Sequence, residues 1–509
     1  MDRVFVVYTV LLQLFFENVK SCHTELRNVL LNSVEIIDRI FIVIIDSFED
    51  VKTLDFSSLN FLLYFLPIFF LFYVLTPSRF KNITLIAGSF VFYMQGEAKY
   101  LYVLPVSVLA HFWIAGCIDP FEKKNNREKE DLPEGAKQKN IVFMVAVAAD
   151  VAVLLYFKLR GAGLPLGLSF YTFQVISYLT DVWRGEIGAE RSLFRFVTYL
   201  SMFPKIGSGP ITPYGTVRDA LKERTFTAEK FQDGLRVFAM GLAAKTLLAD
   251  PLGILWNDLL VKGYESISWR YAWLGAIGYS MKLYFDFYGY SLMAVGLGRM
   301  TGFELPDNFR VPYMAGSVRE FYRRWHITLG GWFKKYVYIP LGGSRKGERR
   351  TFINLMIVWI LTGLWHGISP NFLIWGLFLG FCIMLERIVG KINWPGKIKI
   401  VTHVYLWFVI PISWMFFAIS DVSQLQIYLT RMFGIGEGIN INPADWLICL
   451  KNYGILLAAG AVCCSGIVEK IYDKWKDRFW LNAILAALFW LCVEKIILAG
   501  NNPFMYLNF

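Results

Sequence analysis

The sequence predicts an all-α protein, a polytopic transmembrane helical bundle with re-entrant segments. Of its 509 residues, 56% are hydrophobic and only 18% are charged, against about a quarter charged in a typical soluble protein. Uncharged stretches approaching the ~20 residues that a helix needs to cross the hydrocarbon recur from Phe61 to Leu498. Between them lie Gly- and Pro-punctuated pieces such as Phe203-Pro204-Lys205-Ile206-Gly207-Ser208-Gly209-Pro210-Ile211. Irregular backbone of that kind cannot face lipid, so it is expected to re-enter the bundle or line a cavity. In such a chain a net charge of +11 reads first as positive-inside loops, then as attraction to anionic lipid or a phosphate-bearing ligand. Nucleic acid is not an expected partner.

The first fifty-odd residues differ from the rest. Val4 to Phe16 is too short to span, and Leu26 to Ile45 carries Glu35, Asp38 and Arg39 among its apolar residues. That pattern suits a helix lying along the membrane or against the bundle, with a short spanning helix as the alternative. Residues 1–53 are therefore set apart as an N-terminal extension from the main domain, 54–509. A first span, Phe61 to Leu75, ends in Thr76-Pro77-Ser78-Arg79-Phe80-Lys81, whose basic residues place that end inside. A second span to about Tyr93 and a third from Leu101 to Ile118 lead to a loop, Glu122 to Lys139, crowded with Lys, Arg and Glu and also cytoplasmic. Further spans are predicted at Ile141 to Phe157, Ser169 to Trp183, Phe231 to Leu260 (broken at Asp250-Pro251), Tyr271 to Leu297 and Phe352 to Trp365. The last four are Phe372 to Met384, Val401 to Phe417, Leu447 to Ile467 and Leu481 to Leu498. No internal repeat is visible, which weighs against a secondary transporter.

Seven cysteines are scattered among apolar segments with no metal-ligand or redox spacing, and five histidines offer little for a metal site. No metal is expected. Between Arg350 and Glu386 there is no Asp, Glu, Lys or Arg, yet His366 stands in the middle, in Gly363-Leu364-Trp365-His366-Gly367. An ionisable group so placed is a functional candidate, the plainer reading being a hydrogen-bonded core histidine. Sixteen residues beyond Arg350, it lies about 24 Å along a helix, toward the outer side of the bilayer. Gly367 and Pro370 break the helix just after it.

His326 belongs to Arg319-Glu320-Phe321-Tyr322-Arg323-Arg324-Trp325-His326. Nine basic residues face two acids between Arg319 and Arg350. A solvated positive-inside face accounts for such a cluster, and so does a site for the phosphates of a thioester donor. Lys282 and Asp286 stand at i and i+4 within a span, where an ion pair between them is expected.

Together these residues resemble the membrane-bound O-acyltransferase family, in particular its bacterial alginate O-acetyltransferase-like branch. The resemblance runs from Leu54 to Phe509. It rests on Ser169-Phe170-Tyr171-Thr172-Phe173-Gln174, the stretch 203–211, Asp286-Phe287 with Gly289-Tyr290-Ser291, and the Glu320 to His326 segment. It also rests on Tyr338-Ile339-Pro340-Leu341-Gly342-Gly343, Trp365-His366-Gly367 and the closing Asn502-Pro503-Phe504. Tyr288 and Leu292 depart from the Ser and Asp common in that branch, and Leu292 leans toward the related D-alanyl transfer protein of teichoic acid modification.

The resemblance implies a ring of helices around a thin centre, with a donor side facing the cytoplasm and an acceptor funnel facing outward. It implies His366 and His326 as catalytic residues, with Asn354, Trp325, Trp365, Arg323, Arg324 and Asp286 as the accompanying substrate-binding set. His366 is expected to act as general base, removing the acceptor hydroxyl proton as its oxygen attacks a thioester carbonyl. The expected donor is acetyl-CoA or a carrier-bound acyl thioester, and no cofactor is held. The acceptor is expected to be a cell-envelope polysaccharide, reached through an extracytoplasmic partner protein, with the enzyme in the bacterial inner membrane. The alternatives are D-alanyl transfer and, from another class, a transporter or flippase.

Overall fold

A computed structural model describes residues 54–94, 100–121, 133–160, 164–390, 399–436 and 438–499. The N-terminal extension and the closing Asn502-Pro503-Phe504 lie outside these. Among the described residues there are helices and no strand, only an isolated antiparallel bridge between Phe309 and Trp325. In chain order the helices are α1 (Asn60–Leu75), α2 (Lys81–Met94), α3 (Val103–Ile118), α4 (Pro133–Arg160), α5 (Leu168–Trp183), α6 (Leu193–Ser201), α7 (Phe203–Ile206) and α8 (Tyr214–Lys222). They continue through α9 (Ala228–Lys262), α10 (Trp269–Met300), α11 (Val318–Arg324), α12 (Ile327–Phe333), α13 (Gly347–His366) and α14 (Pro370–Val389). The last are α15 (Lys399–Ala418), α16 (Val422–Met432), α17 (Asp445–Cys464), α18 (Ile467–Trp475) and α19 (Phe479–Ala499). Among the described residues six helices, including α4, α9 and α14, are long and apolar enough to cross a membrane.

α10 is the axis of the bundle. Ser268 caps it by accepting the Tyr271 amide, and most residues from Tyr271 to Met300 are buried. Its main neighbour is α9. The two approach closely because glycines face each other: a β-carbon on Gly289 would lie 2.6 Å from the Gly241 carbonyl oxygen, and one on Gly296 would lie 2.5 Å from that of Gly234. Small residues let backbones meet where no hydrophobic drive from water exists.

Two expectations are corrected. The break at Asp250-Pro251 does not occur, and α9 runs through it as one helix. A π-helical turn, Ala244–Ala249, absorbs the proline, with the Asp250 amide bonding back to the Lys245 carbonyl. Because Pro251 falls in the first turn after that bulge, its missing N–H costs little. The stretch Ser169 to Trp183 is a helix but meets no lipid over most of its length: α5 is buried from Leu168 to Val182. Its Ser169, Thr172, Gln174, Ser177 and Asp181 suit an interior helix surrounded by protein. Gly167, at φ +75°, starts it, and a β-carbon there would collide with the Ile206 carbonyl of the buried re-entrant piece around α7.

The segment between α10 and α13 is built of short elements joined by strained corners. Val311 and His326 both take left-handed φ values, 47° and 46°. α12 runs into a π-helical turn, Lys334–Tyr338, and then a loop with Gly342 and Gly343 at positive φ. α13 and α14 form a tight hairpin, since a β-carbon on Gly363 would lie 2.5 Å from the Phe372 carbonyl oxygen. Gly367, fully extended at φ −178°, ends α13 immediately after His366, and Pro370 opens α14.

Candidate active site

A cavity of about 540 Å³ lies among α11, α12, α13, α14 and α15, and both expected catalytic histidines line it. Its length follows from α14: Trp375 and Arg387 both face it, and twelve residues separate them, about 18 Å along the helix axis. The Trp375 end holds His366, whose ring lies 5.2 Å from the Trp375 ring and 5.1 Å from Phe417, centroid to centroid. The Arg387 end is cationic, with Arg319, Arg323 and Lys334 also lining the cavity. Glu386 holds this end together, accepting the amides of Val318 and Arg319 at the start of α11. Arg387 itself makes a two-pronged pair with Glu348 at the start of α13, at 2.8 and 3.1 Å.

His326 is buried at 4% exposure, in edge contact with Phe287 at 4.7 Å. Its Nδ1 lies 3.3 Å from Asn308 Oδ1. That oxygen also accepts from the Thr328 hydroxyl at 2.6 Å and from the Thr328 amide at 3.3 Å. The main-chain amide can only donate, so it fixes which side of the Asn308 amide faces the ring. His326 Nδ1 is then the protonated nitrogen and Nε2 carries the lone pair. The Thr328 hydroxyl accepts the Ile211 amide at 3.1 Å, tying the re-entrant 203–211 stretch to the site. His326 is held at positive φ by this network, a strain of about 1–3 kcal/mol that active sites commonly store.

The π-helical turn orients its residues in two directions. Lys334 and Tyr338 line the cavity, while Lys335 and Tyr336 bind Asp181 of α5 at 2.8 and 3.0 Å. The Trp332 indole donates to the Phe173 carbonyl at 2.9 Å, fixing α12 from the same helix.

The expected substrate-binding residues divide. Trp325 and Arg323 line the cavity. Asn354 does not; it is buried, and its amide nitrogen donates to the carbonyls of Leu341 and Gly343, at 3.2 and 2.9 Å, tying the glycine loop to α13. Arg324 turns away to Glu320, at 2.5 Å, and Trp365 faces a second cavity against Phe170 and Phe173. Asp286 is away from the cavity too, and its close ion pair is with Lys245 of α9, at 3.0 Å, where the i, i+4 spacing pointed to Lys282. Lys245 also reaches Asp250 at 2.6 Å. The i, i+4 spacing places Lys282 on the right face of α10, but the π-helical turn of α9 sets Lys245 nearer. The sequence reading missed Arg387 and Trp375, which line the cavity, and Asn308, which bonds His326; their places depend on helix pairing rather than on local pattern.

The lining contains no carboxylate and no thiol among the described residues; the groups in it that can accept a proton are the imidazoles of His326 and His366, the Lys334 amine and the phenols of Tyr322 and Tyr338. Residues 186–420 match the membrane-bound O-acyltransferase family. The chain is 33% identical over 498 residues to a probable alginate O-acetylase of Pseudomonas putida, covering 89% of this chain and 100% of that protein. It is 35% identical over 382 residues to the probable alginate O-acetylase of Pseudomonas fluorescens, covering 75% of this chain and 76% of that one. To the peptidoglycan O-acetyltransferase of Helicobacter pylori it is 29% identical over 440 residues, 76% of this chain and 81% of that one. With agreement over this length, the chain belongs to the membrane-bound O-acyltransferase family, as a multi-pass membrane enzyme and not a transporter.

Proposed function

We propose that the protein transfers an acetyl group from a cytoplasmic acyl thioester, acetyl-CoA or a carrier-bound thioester, to hydroxyls of a cell-envelope polysaccharide, working in the bacterial inner membrane. The observation that carries this reading is the single cavity in which His326 and His366 lie at one end of a path leading to four cations. Phosphates of the donor suit Arg319, Arg323, Lys334 and Arg387, and the elongated cavity suits an extended thioester arm reaching toward His366. The relatives' names support the transferred group and the acceptor class, since one acts on alginate and another on peptidoglycan.

In this mechanism neutral His366 takes the acceptor hydroxyl proton as the oxygen attacks the thioester carbonyl. The tetrahedral intermediate collapses with loss of the thiolate, and the imidazolium returns the proton to sulfur. His326, presenting an Nε2 lone pair, accepts a hydrogen bond from a substrate N–H or O–H and so positions it; it does not serve as an oxyanion donor in this tautomer. An extracytoplasmic partner protein completes delivery to the polymer.

The test is acetyl transfer from [¹⁴C]acetyl-CoA, or from an acylated carrier, by the purified protein in nanodiscs. His366→Ala should abolish turnover at unchanged protein level, and wild-type turnover would end the assignment of the base. D-alanyl transfer in place of acetyl transfer would redirect the substrate reading to teichoic acid chemistry.

A further inference from the structure

Lys158 is the one cation on the apolar run of α4 that turns into the protein toward the catalytic end of α13. In the apolar 18-residue stretch of this helix only 6% of the residues are buried, and two residues beyond Lys158 Arg160 stays outside, 5.2 Å from the Tyr156 ring. Lys158 Nζ instead donates to the Trp365 main-chain carbonyl at 2.5 Å. That carbonyl belongs to the residue before His366. It lies in the last turn of α13, where carbonyls have run out of helical donors, because the chain leaves the helix at Gly367 after one final bond from the Gly367 amide to the Gly363 carbonyl. An ammonium there supplies the missing donor and complements the negative end of the helix.

The bond spans a gap. α4 and α13 are opposite walls of the second cavity, about 580 Å³, with Leu154 and Lys158 on one wall and Leu361, Leu364 and Trp365 on the other. Lys158 is thus a polar tether across a largely apolar space, and it grips the backbone one residue from the imidazole.

We propose that Lys158 is a positioning residue for His366, holding the last turn of α13 so that the imidazole faces the catalytic cavity. The inference rests on His366 being the base of the proposed acyl transfer. A base displaced by about 1 Å loses on the order of 100-fold in rate while the donor still binds. The effect should therefore fall on kcat and leave the donor KM in place.

The experiment compares Lys158→Met, Lys158→Arg and Leu154→Ala, purified in nanodiscs, for kcat, donor KM and thermal midpoint. Lys158→Met should lower kcat about 10- to 100-fold with KM within about twofold of wild type, and Lys158→Arg, which keeps the charge and the donor, should recover most of it. Leu154→Ala removes packing from the same wall and should lower the midpoint while keeping kcat. If Lys158→Met does not fold, Lys158→Gln is measured in its place against the same expectations. Wild-type kcat in Lys158→Met, a loss confined to KM, no recovery with Lys158→Arg, or an equal kcat loss in Leu154→Ala would each overturn the role. An active His366→Ala would defeat the base assignment and this inference together. An inactive His366→Ala beside a fully active Lys158→Met would defeat this inference alone.

Discussion

Removing Lys245 should destabilise the bundle far more than removing Lys282, although Lys282 is the cation at i, i+4 from Asp286. The side chains of Lys245 and Asp286 are each only 3% exposed, and Asp250, the other partner of Lys245, is 26% exposed. Lys245→Met removes the close cation from a buried carboxylate and from a second one nearby, and breaking a buried pair from one side costs about 3–5 kcal/mol. Lys282, whose ammonium lies 5.4 Å from the Tyr279 ring, takes no such close cation away when removed, and its loss should cost within about 1 kcal/mol. Adding Asp286→Asn to Lys245→Met removes the buried carboxylate charge and should return at least about 2 kcal/mol, the size of coupling that contacting residues in one network show. The assay is equilibrium unfolding in mixed detergent micelles, followed by circular dichroism, on the two single variants and the double. Equal losses in Lys245→Met and Lys282→Met, or no coupling between Lys245 and Asp286, would refute the pairing and with it the account of the π-helical turn in α9.

Gly289→Ala should destabilise by about 1–3 kcal/mol, because its β-carbon would lie 2.6 Å from the Gly241 carbonyl oxygen. Gly116→Ala in α3 meets nothing within 4 Å and should gain about 0.5–1 kcal/mol from helix propensity; the same unfolding assay compares them. Arg323→Ala and Lys334→Ala should raise the donor KM with kcat retained, and the rise should shrink for a donor analogue lacking phosphates, as steady-state kinetics on both donors would show. Cysteine at Ser344 should react in intact cells only with membrane-permeant thiol reagents, since the basic loop Ser344 to Arg350 is assigned to the cytoplasmic side.

The sequence by itself determined the class of the molecule and singled out two of its five histidines, His326 and His366, which the structure brings to one cavity. Spans are legible because lipid demands long uncharged runs and cations gather at one side, properties of local composition. His366 is legible for the same reason, as a lone titratable group in a charge-free stretch ending at Gly367. Trp325, the neighbour of His326, and the cation Arg323 came with the local motif and do line the cavity. What local pattern could not decide is which helix faces which. Asn354 was placed near substrate by the resemblance alone, yet it ties the Leu341–Gly343 loop to α13. The α5 stretch reads as a span from its apolar run, and only the surrounding helices make it an interior one. Asp286 found its partner across α9, Asn308 found His326 across eighteen residues, and Lys158 reached Trp365 across 207. Such pairings depend on helix packing, where glycine contacts and a π-helical turn set distances and directions that no repeat along the chain records.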